Sequence, residues 1–329
     1  MTAAAPALEV RNLAVGNGYV TAVRGVSFTI PQGGRMGLVG ESGSGKSMTA
    51  LALMGLLPMG WGATGNVLHD GVDLVTQSDK ALSRRRGRTL SMVFQDPLSS
   101  LNPVRRVGDQ ISWVIRHHTR VDRHTAEQQT VELLRQMNLP RPEQLVRSYP
   151  HEISGGQRQR IMIAMALACY PQLIIADEPT TALDVTVQKQ VLRLLNSAVS
   201  ERGSALLMIT HDLPIIAAMC DTVAVMYAGR IVEIGPVQEV FRHPRHHYTR
   251  GLLDSQPTMD NIALDGSSRL ISIPGMVPPL HDLPRGCAFN PRCPAATDKC
   301  RAEMPELDGG ELRSACWHPI PRVDEVAAQ

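Results

Sequence analysis

Two stretches of this chain carry residues that can do phosphate chemistry. The first, Gly40-Glu41-Ser42-Gly43-Ser44-Gly45-Lys46-Ser47, satisfies the G-x-x-x-x-G-K-[ST] spacing. Glycines let backbone N–H groups close around phosphate oxygens, and a helix beginning at the end of the loop adds the positive end of its dipole. In that arrangement the Lys46 ammonium reaches the β- and γ-phosphates, and the Ser47 hydroxyl ligates Mg²⁺. The second stretch, Leu173-Ile174-Ile175-Ala176-Asp177-Glu178, is an apolar run that ends in two acids. Carboxylates at the end of a buried strand are costly unless a cation or water network uses them. Asp177 is therefore the candidate for the Mg²⁺ shell, and Glu178 the candidate base that polarises an attacking water. Together the two stretches imply binding and hydrolysis of a nucleoside triphosphate, with kinases, GTPases and motors still open.

These groups need a scaffold, and the apolar pattern supplies one. Short apolar bursts between Leu8 and Val39, broken by glycines, predict strands and turns, the last strand ending at Val39. A helix is expected over Ser47–Leu57, stopped at Pro58. Helical spacing follows through Val104–Leu139 and again over Gln157–Ala168. The runs at Leu173–Ala176, Leu206–Ile209 and Thr222–Met226 are continuous and apolar, as strands buried on both faces are. Helices are expected between them at Val187–Glu201 and Pro214–Ala218. Alternating strands and helices predict an α/β domain with a largely parallel sheet. Beyond about residue 235 the chain becomes rich in Pro and Gly and loses its period, so residues 1–235 and 236–329 are expected as separate units.

The 329 residues are 43% hydrophobic and 19% charged, a globular composition. A net charge of +2 gives no footing to nucleic acid as a partner. The basic run Arg84, Arg85, Arg86 and Arg88 reads as a solvated surface loop. No segment approaches the ~20 apolar residues of a membrane span. The start, Met1 to Pro6, lacks the basic and apolar regions of a signal peptide. Service to a membrane is therefore expected from the cytoplasm, docked on other chains. Of six cysteines, Cys169 and Cys220 lie in apolar runs and read as buried thiols, whereas Cys287, Cys293, Cys300 and Cys316 crowd the end of the chain. In a cytosolic setting such a quartet points to metal rather than to disulfides.

Further motifs narrow the class. Ile153-Ser154-Gly155-Gly156-Gln157 resembles the Leu-Ser-Gly-Gly-Gln signature of ABC ATPases, and Ser154 stands 23 residues before Asp177. Phe94-Gln95-Asp96-Pro97 resembles the family's Q-loop, Thr181-Ala182-Leu183-Asp184 its D-loop, and Thr210-His211-Asp212 its switch histidine. The order is the family's order. The resemblance implies a RecA-like P-loop core, an antiparallel β portion near the N-terminus, and a helical subdomain at roughly 97–168. It implies that Gln95 joins the Mg²⁺ and water shell and that His211 contacts the γ-phosphate of ATP. It also implies that Ser154, Gly155, Gly156 and Gln157, with Asp184, close over the P-loop of a second ATPase subunit. The family's adenine-stacking aromatic is missing after the first strand. Tyr19 is the nearest substitute, and it reads equally as a strand-edge tyrosine.

The C-terminal third resembles the oligopeptide/dipeptide importer ATPases. His243-Pro-Arg-His-His-Tyr-Thr-Arg-Gly-Leu-Leu253 is similar to their His-Pro-x-His-Pro-Tyr-Thr-x-x-Leu-Leu stretch, with His247 in place of proline. Pro274-Gly-Met-Val-Pro and Gly286-Cys-Ala-Phe-Asn-Pro-Arg-Cys-Pro294 continue the likeness. The cysteines fall as C-x5-C-x6-C-x15-C, looser than zinc pairs. Some members of the family carry a [4Fe–4S] cluster on such an arrangement; zinc and unmetallated thiols are the alternatives. The histidines at 243–247 are expected to pack or to meet a partner. The resemblance implies partnership with two permeases, a second ATPase (a sister chain rather than an identical copy) and an extracytoplasmic binding protein, at the cytoplasmic face of the membrane. Close relatives move nickel complexes, opines, glutathione and sugars as well as peptides. DNA-repair ABC ATPases insert coiled coils before the signature, whereas about 107 residues lie here between Gly45 and Ile153 and no heptad run fills them. Ribosome-acting members carry two ATPase domains. A C-terminal module that gates the ATPase as a redox or metal sensor is the remaining alternative.

Overall fold

The computed structural model describes residues 5–96, 100–180, 183–256 and 272–321. Its frame is a seven-stranded sheet and a four-stranded one. In chain order the strands are β1 (Leu8–Gly16), β2 (Thr21–Ile30), β3 (Arg35–Val39), β4 (Gly62–His69), β5 (Val72–Asp73), β6 (Leu90–Val93), β7 (Leu173–Asp177), β8 (Ala205–Ile209), β9 (Thr222–Tyr227), β10 (Arg230–Pro236) and β11 (Arg313–Ser314). The small sheet, in order β2-β1-β4-β5, is antiparallel throughout. The large sheet runs β11-β10-β9-β3-β8-β7-β6, parallel from β9 to β6, with β10 and β11 added antiparallel at one edge.

The parallel strands are apolar without interruption because both of their faces are covered. Successive residues alternate between two cores. Ile174, Ala176, Leu206, Met208, Val223 and Val225 face helices. Ile175, Leu207, Ile209, Ala224 and Met226 face the small sheet and helix α1 (Lys46–Met54). The two cores therefore clamp one sheet, and the strand ends are held to the tolerance of a packed interior.

Helix α1 ends at Gly55, in the left-handed region at φ 62°, and not at Pro58. Gly55 N–H donates to Ala52 and Leu51, and Leu56 N–H reaches back to Leu51, so the turn closes three residues before the proline is met. Helix α2 (Asp79–Arg85) follows. Arg86, placed by its basic neighbours in a solvated loop, is half-buried instead: it donates to Met54 O and Gly55 O at 2.8 Å each and so caps the C-terminal end of α1.

The helical layer comprises α3 (Val107–Thr119), α4 (Arg123–Gln136), α5 (Pro142–Leu145) and α6 (Gly155–Leu167). The helical pattern over 104–139 is split in two because Arg120 takes a left-handed turn at φ 59° and the Asp122 side chain caps α4 from Thr125 N–H. Helices α7 (Val185–Arg202) and α8 (Leu213–Met219) connect the later strands. After β10 come α9 (Val237–Arg242), α10 (His247–Asp254) and α11 (Asp298–Ala302). The end of the chain then returns to the large sheet, where β11 pairs Arg313 with Ile234 and Ser314 with Glu233. The sequence boundary at 235/236 thus falls at the end of a strand on which the C-terminal region builds. No described helix is long and apolar enough to cross a membrane.

Leu207 lies on the central strand β8 with no exposed surface. Leu207→Ala is expected to destabilise the chain by about 2–5 kcal/mol, read as a lower urea midpoint with the native fold retained.

Candidate active site

The P-loop leaves β3 at Val39 and passes hard against β9. Gly40 has φ 154°, and a Cβ there would lie 2.1 Å from Met226 O, so no side chain fits. Gly45, at φ 103° and with a Cβ position 2.5 Å from Ala22 O, turns the chain into α1 and serves as a cap with no side-chain acceptor. The first-turn N–H groups of α1 therefore face the loop. Lys46 is 7% exposed. Its Nζ donates to Gly40 O at 2.7 Å, Glu41 O at 2.9 Å and Ser44 Oγ at 3.4 Å.

Both acids arrive at the end of β7, two strands from β3 in the sheet. Asp177 ends β7, 4% exposed, and its Oδ1 accepts from Ser47 Oγ at 3.3 Å. Glu178 follows with φ 45°, a left-handed conformation that side chains other than glycine seldom take, held by its N–H to Ile209 O at 2.8 Å. That twist turns its carboxylate between two partners. Oε2 accepts from Gln95 Nε2 at 3.1 Å, and Oε1 lies 3.1 Å from His211 Nδ1. Burial pushes the Asp177 carboxyl above its ordinary value, and burial lowers Lys46 against the opposing pull of Glu178, Asp177 and Glu41. Lys46, Ser47, Gln95, Asp177, Glu178 and His211 thus meet at the carboxyl ends of the parallel strands, where open α/β sheets place their ligands. A buried ammonium, a buried carboxylate and a second carboxylate fixed by Gln95 and His211 form an arrangement suited to metal-assisted phosphoanhydride hydrolysis.

The signature lies on another element. Ser154 caps α6: its Oγ accepts from Gln157 N–H at 3.3 Å, while Ser154 N–H donates to Gln157 Oε1 at 2.9 Å. Ser154 and Gly155 face solvent, and Gly156 packs so tightly on α7 that a Cβ would meet Val187 at 2.9 Å. The Asp184 carboxylate caps α7 through Thr186 and Val187 N–H at 3.0 and 2.9 Å. Thr181 and Ala182 of the D-loop, and Pro97 of the Q-loop, lie outside the described residues. Tyr19 stands 93% exposed in the turn between β1 and β2.

In the C-terminal region, Cys287, Cys293, Cys300 and Cys316 line one small pocket with His246, Phe289 and Trp317. All six cysteines are free thiols. Burial pushes Cys287 and Cys293 up, and Cys316 up to about 11. Gly286 is required for the approach, since a Cβ would lie 2.2 Å from Cys300 O. Among the described residues no three Cys, His, Asp or Glu side chains are set to hold a single metal ion. His246 is buried, its Nδ1 accepts from Tyr248 N–H at 3.0 Å, and burial drives its pKa down to about 3. Packing is thus its role, as expected.

Three contributors escaped the sequence. Gln159, buried on α6, donates to Pro179 O and ties the signature helix to the loop after Glu178. Arg292 and Tyr248 reach the P-loop at Glu41 from the C-terminal region. The only available signal was the charge of Glu41 inside a phosphate loop, which demands a compensating cation somewhere.

Comparison with known proteins follows this division. The profile of the ABC transporter family matches residues 23–181, and that of the oligopeptide/dipeptide transporter C-terminal region matches residues 232–300. The oligopeptide transport ATP-binding protein OppD of Haemophilus influenzae is 46% identical over 95% of this chain and 97% of its own length. OppD of Bacillus subtilis is 48% identical over 98% of this chain and 92% of its own. The probable D,D-dipeptide transport ATP-binding protein DdpD of Escherichia coli is 46% identical over 98% and 99%. Among solved structures, a dimeric post-hydrolysis ATP-binding cassette bound to ADP and Pi superposes with a TM-score of 0.63 at 26% identity, covering 70% of this chain and 98% of that one. Cassette fold and C-terminal region agree: the chain belongs to the ABC transporter ATPases, in the branch that carries the oligopeptide/dipeptide transporter C-terminal region.

Proposed function

We propose that this chain is the ATP-hydrolysing subunit of an importer of di- or oligopeptides. It works at the cytoplasmic face of the cell membrane with two permease subunits, a second ATPase subunit and an extracytoplasmic substrate-binding protein. The observation that carries this reading is the Glu178 carboxylate, fixed by Gln95 and His211 beside the Lys46–Ser47–Asp177 cluster, in a chain whose C-terminal region matches that of peptide importers.

In this reading the N–H groups of residues 40–47 cradle the β- and γ-phosphates. Lys46 transfers its hydrogen bonds from loop carbonyls to phosphate oxygens. Ser47 and Asp177 hold Mg²⁺, with Gln95 in its outer shell. Glu178 accepts the proton of the attacking water, and His211 steadies Glu178 and the γ-phosphate. Ser154 and Gly155 open to solvent at the start of a helix, which fits the signature Ser154, Gly155, Gly156 and Gln157, together with Asp184, to close on the γ-phosphate bound to a second subunit. A sister chain is the partner we favour over an identical copy. Tyr19, exposed in the turn between β1 and β2, is assigned to the adenine ring.

The four-cysteine pocket is assigned to a [4Fe–4S] cluster held by Cys287, Cys293, Cys300 and Cys316. Four free thiols in one pocket form the donor set of such a cluster, which seats its ligands on a larger cage than one ion does. Bound there, it would crosslink four turns of a region poor in regular structure.

Three outcomes are expected. Glu178→Gln keeps Mg·ATP binding but lowers turnover by about three orders of magnitude or more in the reconstituted transporter; turnover near wild type would remove Glu178 from its role. Mild-detergent capture of the tagged chain from its native membrane brings down two permeases, a second ATPase and a binding protein carrying peptide. Absence of any membrane protein would argue against transport, and another solute on the binding protein would reassign the cargo. Anaerobic purification yields about four iron and four sulfide per chain, lost in Cys300→Ser, whereas zinc or no metal would refute the cluster.

A further inference from the structure

The second residue of the P-loop is an acid. Glu41 places a carboxylate beside a loop built to receive a polyanion, close enough to act on the Lys46 charge. Left uncompensated in this partly desolvated place, it opposes phosphate binding. Its compensation comes from 251 residues away. Arg292, in the turn Asn290–Arg292, donates from Nη1 to Glu41 Oε2 at 2.6 Å and from Nη2 to Oε1 at 3.0 Å. The fork is bidentate, the geometry that makes arginine–carboxylate pairs strong. The Arg292 side chain is 3% exposed and Glu41 29%, so the pair is screened less than one at the open surface. It is itself seated by the acceptors Pro274 O at 2.9 Å and Tyr227 Oη at 3.4 Å. Tyr248 completes the contact, its Oη accepting from Glu41 N–H at 2.8 Å, and rings of Tyr227, Tyr248 and Phe289 pack behind with centroids 4.6 to 5.4 Å apart.

We propose that Arg292 is a positioning residue for nucleotide binding: from the C-terminal region it neutralises Glu41 and holds that side chain away from the incoming phosphates. Nucleotide affinity in this chain is thereby set in part by a region outside the ATPase core. The inference rests on the P-loop being the ATP site.

Calorimetric titration of the purified full chain with Mg·ATP tests it. Arg292→Met, which keeps the length of the stem and removes the charge, is expected to weaken binding about tenfold, a difference of about 1.4 kcal/mol. Adding Glu41→Gln to that variant recovers most of the loss, because no carboxylate then remains to be masked. A purely structural role for Arg292 would show no such recovery. In the assembled transporter the Arg292→Met effect falls on KM for ATP, with kcat within about twofold. Wild-type affinity in Arg292→Met, or a loss that Glu41→Gln leaves untouched, would overturn the proposal. If Arg292→Met does not fold, Arg292→Lys decides, since retained charge should limit the loss to less than about threefold and a larger loss refutes charge masking. Lys46→Ala separates the two levels. Undiminished binding in that variant sinks the ATP site itself, whereas loss there beside an unaffected Arg292→Met sinks only this inference.

Discussion

Charge withdrawn from water at the carboxyl edge of the parallel sheet is the constraint around which the structure is arranged. Lys46 and Asp177 are each almost fully buried, and neither would stay charged in isolation. Each tolerates burial because the other elements deliver partners: loop carbonyls for the ammonium, the Ser47 hydroxyl for the carboxylate. Those partners hold their places only because β3, β7 and β8 are gripped between two apolar cores, which fixes where each strand stops. The placing of the Glu178 carboxylate follows from the same constraint, since the backbone twist at Glu178 is anchored through its N–H on β8.

What could be read from the sequence was what is local in it. The P-loop, the apolar run into Asp177-Glu178 and the signature at Ile153–Gln157 each depend on neighbours a few residues away. Periodicity likewise disclosed the buried strands, because coverage on both faces removes polar residues from them. Element ends were less legible. Gly55 stops α1 before Pro58 can, as a left-handed cap works without proline, and Arg120 breaks a continuous helical pattern for a similar backbone reason. Arg86 was misread because a run of like charges hides which member finds carbonyls. The Glu41–Arg292 pair was invisible, because nothing near Glu41 announces a partner at the far end of the chain.

The signature helix shows how the two halves of the chemistry communicate within one subunit. Its N-terminus is turned outward, yet Gln159 one turn further in binds the carbonyl of Pro179, immediately after Glu178. A displacement of α6 is therefore felt at the loop after Glu178. The outward N-terminus of the helix and the loop after Glu178 are separated by one buried amide, a short lever in a densely packed interior.

The long reach between Glu41 and Arg292 also has a meaning in time. A ribosome adding about 5–20 residues each second needs roughly 13–50 s to travel the 251 positions that separate them. Throughout that interval the phosphate loop exists with its acid unmasked, on a chain that has not yet made its last strand. The ATPase thus matures in order of synthesis: the catalytic frame first, and the residue that readies it for nucleotide only once the carboxyl-terminal region has emerged and folded back. A chain truncated before that point would carry every hydrolytic residue and still present a repulsive loop, so completion of translation is written into the electrostatics of the site.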